Sequence, residues 1–178
     1  MDEIGREFLR DAAVRFEQWK TTAEKAVAQL SDDDLHWKPE PDSNSIAVLL
    51  WHIAGNLRSR WRDFLVADGE KPDRDRDSEF EVGPEKSRAQ IMAWWDDAWQ
   101  IQRAALAALT PADLLRTVTT RGKPETVIEA SHRQLCHLAN HVGQIVYIAK
   151  AVRGPEWQTL SIARGQSRQF NEQLGHRV

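Results

Sequence analysis

The chain has 178 residues, enough for one domain with a sizeable core, and no shift in composition divides it in two. Its net charge is −3, with 24 basic and 27 acidic residues interleaved, which excludes the concentrated positive field that nucleic-acid binding needs. Cys136 is the one cysteine, which rules out an internal disulfide and fits a reducing cytoplasm. The acidic opening, Met1-Asp2-Glu3-Ile4-Gly5-Arg6-Glu7, lacks the apolar run of a secretory signal, and no run nears the roughly 20 apolar residues of a membrane span. A cytoplasmic protein acting on a small molecule, with neither nucleic-acid nor membrane partners, is expected.

From Asp2 to about Leu30, Phe8, Ala12, Phe16, Trp19, Ala23, Ala26 and Leu30 recur at helical spacing and predict a first long helix. Ser31-Asp32-Asp33-Asp34 offers capping side chains for a short turn, and Pro39 and Pro41 bar helix through the connection. Ser43 or Ser45 caps a second helix whose apolar stripe is Ile46, Leu49, Ile53, Leu57 and Phe64, with His52 on its edge and an end before Asp68-Gly69. Residues 68–83 are dense in charge and read as a long crossover loop with a solvated surface, pinned at its far end by Phe80 and Val82. Pro84 suits the first turn of a third helix from Glu85 to about Leu109, through Ile91, Trp95, Ala98, Gln102 and Ala105. Trp94, Trp95 and Trp99 read as core or subunit interface rather than a substrate platform.

Thr110-Pro111-Ala112-Asp113 starts a turn, and Thr117 to Thr126 forms a small hairpin bent at Arg121-Gly122. A fourth helix runs from Val127 to Arg153 and stops at Gly154-Pro155; its stripe is Ile128, Leu135, Leu138, Val142, Ile145 and Ala149. The tail carries Trp157, Leu160, Ile162, Phe170 and Leu174, and is expected to pack along the other helices with a short helix around Ser167 to Leu174.

The chemistry centres on His137 and His141 in the fourth helix. Residues at i and i+4 differ by about 40° around the axis and lie roughly 6 Å apart along it, so both imidazoles can close on one metal ion. Such a pair needs a third donor, and His52, also on a stripe edge, is the best placed. Three neutral imidazoles leave further positions open, as in a catalytic site, and nitrogen ligation suits zinc or nickel. His36 and His176 fall in irregular, solvent-facing segments, while His132 and Cys136 point away from the pair. Ser45, Asn56, Ser59, Asp63, Gln134 and Gln144 share the ligands' edges as supporting groups, although Asp63 is about 16 Å from His52 along the axis and too far to ligate. No side chain stands out as a general base, so no catalytic residue is assigned.

Three stretches carry a family resemblance: Asp42-Ser43-Asn44-Ser45-Ile46-Ala47 running into Trp51-His52-Ile53-Ala54-Gly55-Asn56, then Asp68-Gly69-Glu70-Lys71-Pro72, then His137-x-x-x-His141-Val142-Gly143-Gln144-Ile145. On these the chain resembles the DinB-like superfamily of YfiT-like metal-dependent helical-bundle proteins, in its DUF1572-type branch. The resemblance implies an all-α, antiparallel four-helix bundle over residues 1–178, a homodimer, and His52, His137 and His141 as the metal ligands. Relatives in that superfamily include thiol-dependent transferases, which favours an S-transferase in which the metal holds a low-molecular-weight thiol as thiolate. Arg58, Arg60 or Arg62 is a candidate for the thiol's carboxylate, although arginines at such positions also make the wet face of a helix. Alternatives are a hydrolase using metal-bound water, a non-catalytic metal-binding or stress-associated bundle, and a metal-free bundle with hydrogen-bonded histidines.

Overall fold

The structure, a computed structural model, describes residues 2–175. Four long helices carry it: α1 (Asp2–Val27), α2 (Ile46–Trp61), α3 (Arg88–Ala107) and α4 (Val127–Arg153). An antiparallel hairpin, β1 (Thr117–Thr120) with β2 (Lys123–Thr126), precedes α4, and a short helix, α5 (Ser167–Gln173), lies in the tail. The hairpin turns at Arg121 and Gly122, whose φ values of 55° and 71° are those a two-residue turn between twisted strands requires. The chain is mostly helical, and no described helix is long and apolar enough to cross a membrane.

Helix starts follow the capping side chains. Ser45, not Ser43, caps α2, its hydroxyl accepting from the Val48 N–H at 3.2 Å. Ser87 with Gln90, and Thr126 with Glu129, form capping boxes at α3 and α4. The box at Ser87 is why α3 starts at Arg88 rather than Glu85, leaving Pro84 in the preceding turn. α1 stops at Val27, yet Leu30 still reaches the core. α2 ends at Trp61, earlier than the apolar spacing suggests, because Arg62 is extended and Asp63 takes a φ of 52°.

α2 is the element the others surround. Fourteen of its sixteen residues are buried, so the amphipathic reading of this helix fails and even Arg60 is inside. It packs on α3 and α4 and is covered by single-turn segments at Asp33–His36 and Ser78–Phe80, while α1 packs mainly on α4. Phe16, Trp61, Trp95 and Trp99 form an aromatic centre, with Phe16 edge-on to Trp61 at 5.4 Å between ring centres. Trp95 and Trp99 are therefore core residues. Trp94 is only half-buried and stacks on Trp51 at 5.1 Å.

The crossover loop departs most from expectation. Val82 joins the core and Phe80 packs on it, but the charges between α2 and Phe80 are not simply solvated: Lys71 and Glu79 are buried. The loop is also latched to the hairpin. Asp68 accepts hydrogen bonds from the main-chain N–H groups of Glu70, Gly122 and Arg121 at 2.7–2.8 Å, which hold its carboxyl well below the usual range, and the Gly69 N–H donates to the Thr119 carbonyl at 2.8 Å. The tail departs in the other direction. Trp157 and Leu160 pack on the core, but α5 buries no residue, and Ile162, Phe170 and Leu174 remain exposed.

Candidate metal centre

The buried α2 and the half-exposed face of α4 bring three imidazoles together. His52 is buried; His137 and His141, one turn apart on α4, are half-buried. The ring centres lie 4.4 Å apart for His137 and His141, 5.2 Å for His52 and His137, and 5.0 Å for His52 and His141. One ring nitrogen from each falls within 4.8 Å of the others. The His52 and His137 Nε2 atoms face each other at 3.2 Å. Two nitrogens sharing a tetrahedral zinc at about 2.0–2.1 Å stand about 3.3 Å apart, so this donor set fits a metal.

Burial, reinforced by the neighbouring imidazoles, pushes His137 down to about 3. Burial and the neighbouring His52 imidazole likewise push His141 down to about 4, with Gln144 acting in the opposite sense. Both rings are therefore neutral at pH 7, the form in which imidazole ligates a metal.

His52 has a brace that neither α4 histidine shares. Its Nδ1 lies 2.8 Å from Oε2 of Glu79, a residue only 4% exposed. An ionised carboxylate can only accept, so Nδ1 carries the proton and the Nε2 lone pair turns toward the other two rings. Burial alone would raise the Glu79 pKa, but hydrogen bonds from His52 and Arg74 and the Arg74 charge outweigh it, so the carboxyl stays below its usual value. Arg74 grips both oxygens, Nε to Oε1 at 2.8 Å and Nη2 to Oε2 at 2.9 Å. The chain of charges continues through Glu70, which lies 3.6 Å from Arg74 and pairs with Arg60 at 2.8 Å and Arg121 at 3.0 Å. Phe80 packs on the His52 ring at 4.7 Å, so the loop's apolar pin rests on one of the three imidazoles.

Residues 3–166 match the family model described as a protein of unknown function, DUF1572. The chain belongs to the DUF1572 family. No curated protein matches it.

In this DUF1572 protein the expected supporting groups are scattered. Ser45 is a helix cap; Ser59 bonds the Gly69 carbonyl at 2.7 Å and the Lys71 N–H at 3.1 Å. Asp63 is exposed, and Gln144 donates to Asn140 at 3.3 Å beside His141. Asn56 and Gln134 are buried, one turn from His52 and His137 along their helices, with Asn56 Oδ1 and both Gln134 amide atoms lacking partners among the described residues. Of the three arginines, Arg60 is buried against Glu70, Arg62 clasps Asp73, and Arg58 pairs with Asp97 over the face of Trp94. His132 packs edge-on to Phe8 and Cys136 is exposed, both outside the histidine cluster. His36 is half-buried rather than solvent-facing, and His176 lies outside the described residues.

Glu79 and Arg74 are the site residues that sequence reasoning missed. They sit in Arg74-Asp75-Arg76-Asp77-Ser78-Glu79-Phe80, whose charge alternation looks the same whether wet or buried. One local signal was available. Gly55, three residues after His52, is a glycine in a helix interior, which costs about 1 kcal/mol relative to alanine. A Cβ there would come within 2.7 Å of the Glu79 carboxyl carbon, which His52 and Arg74 hold in place.

Proposed function

We propose that this chain is a metal-dependent enzyme of the DinB-like superfamily, an antiparallel four-helix bundle in which His52, His137 and His141 hold one divalent ion, zinc or nickel, and which adds a whole low-molecular-weight thiol, through its sulfur, to a small electrophile. The observation that carries the reading is the convergence of three neutral imidazoles from two helices, one of them oriented by a buried carboxylate. With no fourth His, Cys, Asp or Glu in the cluster among the described residues, coordination positions stay open, which favours catalysis over a structural tie. When bound, the ion would keep a thiol sulfur in its thiolate form.

The protein's own groups supply orientation. Glu79 retains the His52 Nδ1 proton, and Arg74 retains Glu79. Because both Glu79 oxygens are engaged, it is a positioning residue and not a free general base. That supports thiol transfer over hydrolysis, since a thiol ionises with less help than water. Two copies of the chain are expected to pair, as the resemblance implies.

The test is metal content by inductively coupled plasma mass spectrometry on untagged protein, beside His52→Ala and the double variant His137→Ala/His141→Ala. The expected result is stoichiometric metal in the parent, loss in both variants, and metal-dependent consumption of thiol when an electrophile is added. A parent that stays empty after incubation with zinc or nickel overturns the reading.

A further inference from the structure

Beside the metal centre, but with none of the three histidines on its wall, α2, α3 and the crossover loop enclose a cleft of about 290 Å³. The stacked pair Trp51 and Trp94 gives it an apolar wall. Arg58, Arg62, Lys71 and Arg74 bring positive charge to it, and Asp73, Asp75 and Glu79 bring negative charge. Three of the cations are matched: Arg58 by Asp97, Arg62 by both oxygens of Asp73 at 2.5 and 2.9 Å, and Arg74 by Glu79.

Lys71 is not matched. It is only 6% exposed, and its ammonium donates to the neutral main-chain carbonyl of Asp68 at 2.5 Å. No carboxylate lies within ion-pair distance of it among the described residues. Of the acids near it in sequence, Asp68 has its carboxylate occupied by three main-chain N–H groups, and Asp63 and Asp75 are exposed. Arg74 is matched a second time, since its Nη1, though without a hydrogen bond among the described residues, stands at ion-pair distance, 3.6 Å, from Glu70. A buried ammonium without a counter-charge is unfavourable unless something completes it. Burial lowers its pKa accordingly.

We propose that this cleft binds a small organic anion, its carboxylate or phosphate taken by Lys71, and its apolar body lying against Trp51 and Trp94. The volume is at the lower end for ligand sites, which limits the ligand to about the size of a single ring with a short charged arm. The inference does not depend on a metal at the histidines.

The test is a ¹⁵N–¹H NMR titration of the full chain in EDTA with four probes: phenylacetate, phenyl phosphate, inorganic phosphate and the neutral phenylacetamide. Saturable shifts at the Gly55, Ser59 and Lys71 amides and at the Trp51 and Trp94 indole N–H groups are expected with one or both organic anions. The tighter of the two identifies the head group. Lys71→Met should weaken that binding by about thirtyfold or more, as when one partner of a buried ion pair is removed. Equal binding of phenylacetamide, equal binding of inorganic phosphate, unsaturable shifts scattered over the surface, or unchanged affinity in Lys71→Met overturns the proposal. Should Lys71→Met fail to fold, the comparison of charged with neutral probes on the parent chain decides it.

Discussion

His52 and the pair His137/His141 face each other across the same site, yet they are held in opposite ways. His52 is fixed by Glu79, which is fixed by Arg74, and its ring is covered by Phe80. The Nδ1 atoms of His137 and His141 are buried with no hydrogen-bond partner among the described residues, so no carboxylate braces those rings from behind; the α4 backbone, local packing and the approach of His52 to His137 set them. One side of the centre is braced by a tertiary network, and the other by the regular rise of a helix. The braced side should therefore be sensitive to changes outside the three histidines, and the helical side should not.

The most severe test removes the brace. Glu79→Ala leaves the Arg74 guanidinium buried without its partner and His52 without its acceptor, and should cost about 3–5 kcal/mol of stability, read as a large drop in the urea midpoint. A loss under about 1 kcal/mol would mean that Glu79 is not buried against Arg74 in solution. Glu79→Gln keeps the shape and can still accept from Nδ1, but removes the charge. It should weaken metal binding about 10–100-fold by competition with a chelator, the usual effect of altering a ligand's outer partner. Unchanged affinity would show that His52 needs no anion behind it.

The helical side is probed by acid. In metal-free protein His137 and His141 titrate at about 3 and about 4 when folded, below the ordinary 6.5 of the unfolded chain. The unfolded chain thus takes up protons first, so their contribution is complete above pH 6.5 and lost as pH falls toward the folded values. A thermal scan in EDTA should show Tm falling by several degrees between about pH 7 and pH 5. The double variant His137→Gln/His141→Gln should flatten that slope; an identical slope would assign it to other groups. The mildest change lies in the tail, where Phe170→Ala should shift stability by no more than about 0.5 kcal/mol, because α5 buries nothing. A larger effect would place α5 against something in solution.

The same division explains what could be read from the sequence. The His137/His141 pair, the extent of α4 and the hairpin turn at Arg121-Gly122 depend on local spacing and backbone preference, and all were legible. His52 was reached because it sits on a stripe edge and within a recognisable motif. Glu79 was not, because its burial depends on a glycine twenty-four positions earlier and an arginine five positions before it, contacts with no period to detect. α2 was misread as amphipathic for a related reason: the loop that covers its charged side is itself charged.

The Asp68 latch has a consequence for assembly. His52 and His137 are 85 positions apart, and closing so long a loop around an ion would ordinarily draw heavily on binding energy. The carboxylate of Asp68, seated on the hairpin just ahead of α4, joins the two histidine-bearing segments by a route that does not involve the imidazoles. The three imidazoles are thus gathered during folding without the help of an ion, so the protein should reach its native shape without metal and, if it binds one, exchange it for another without unfolding.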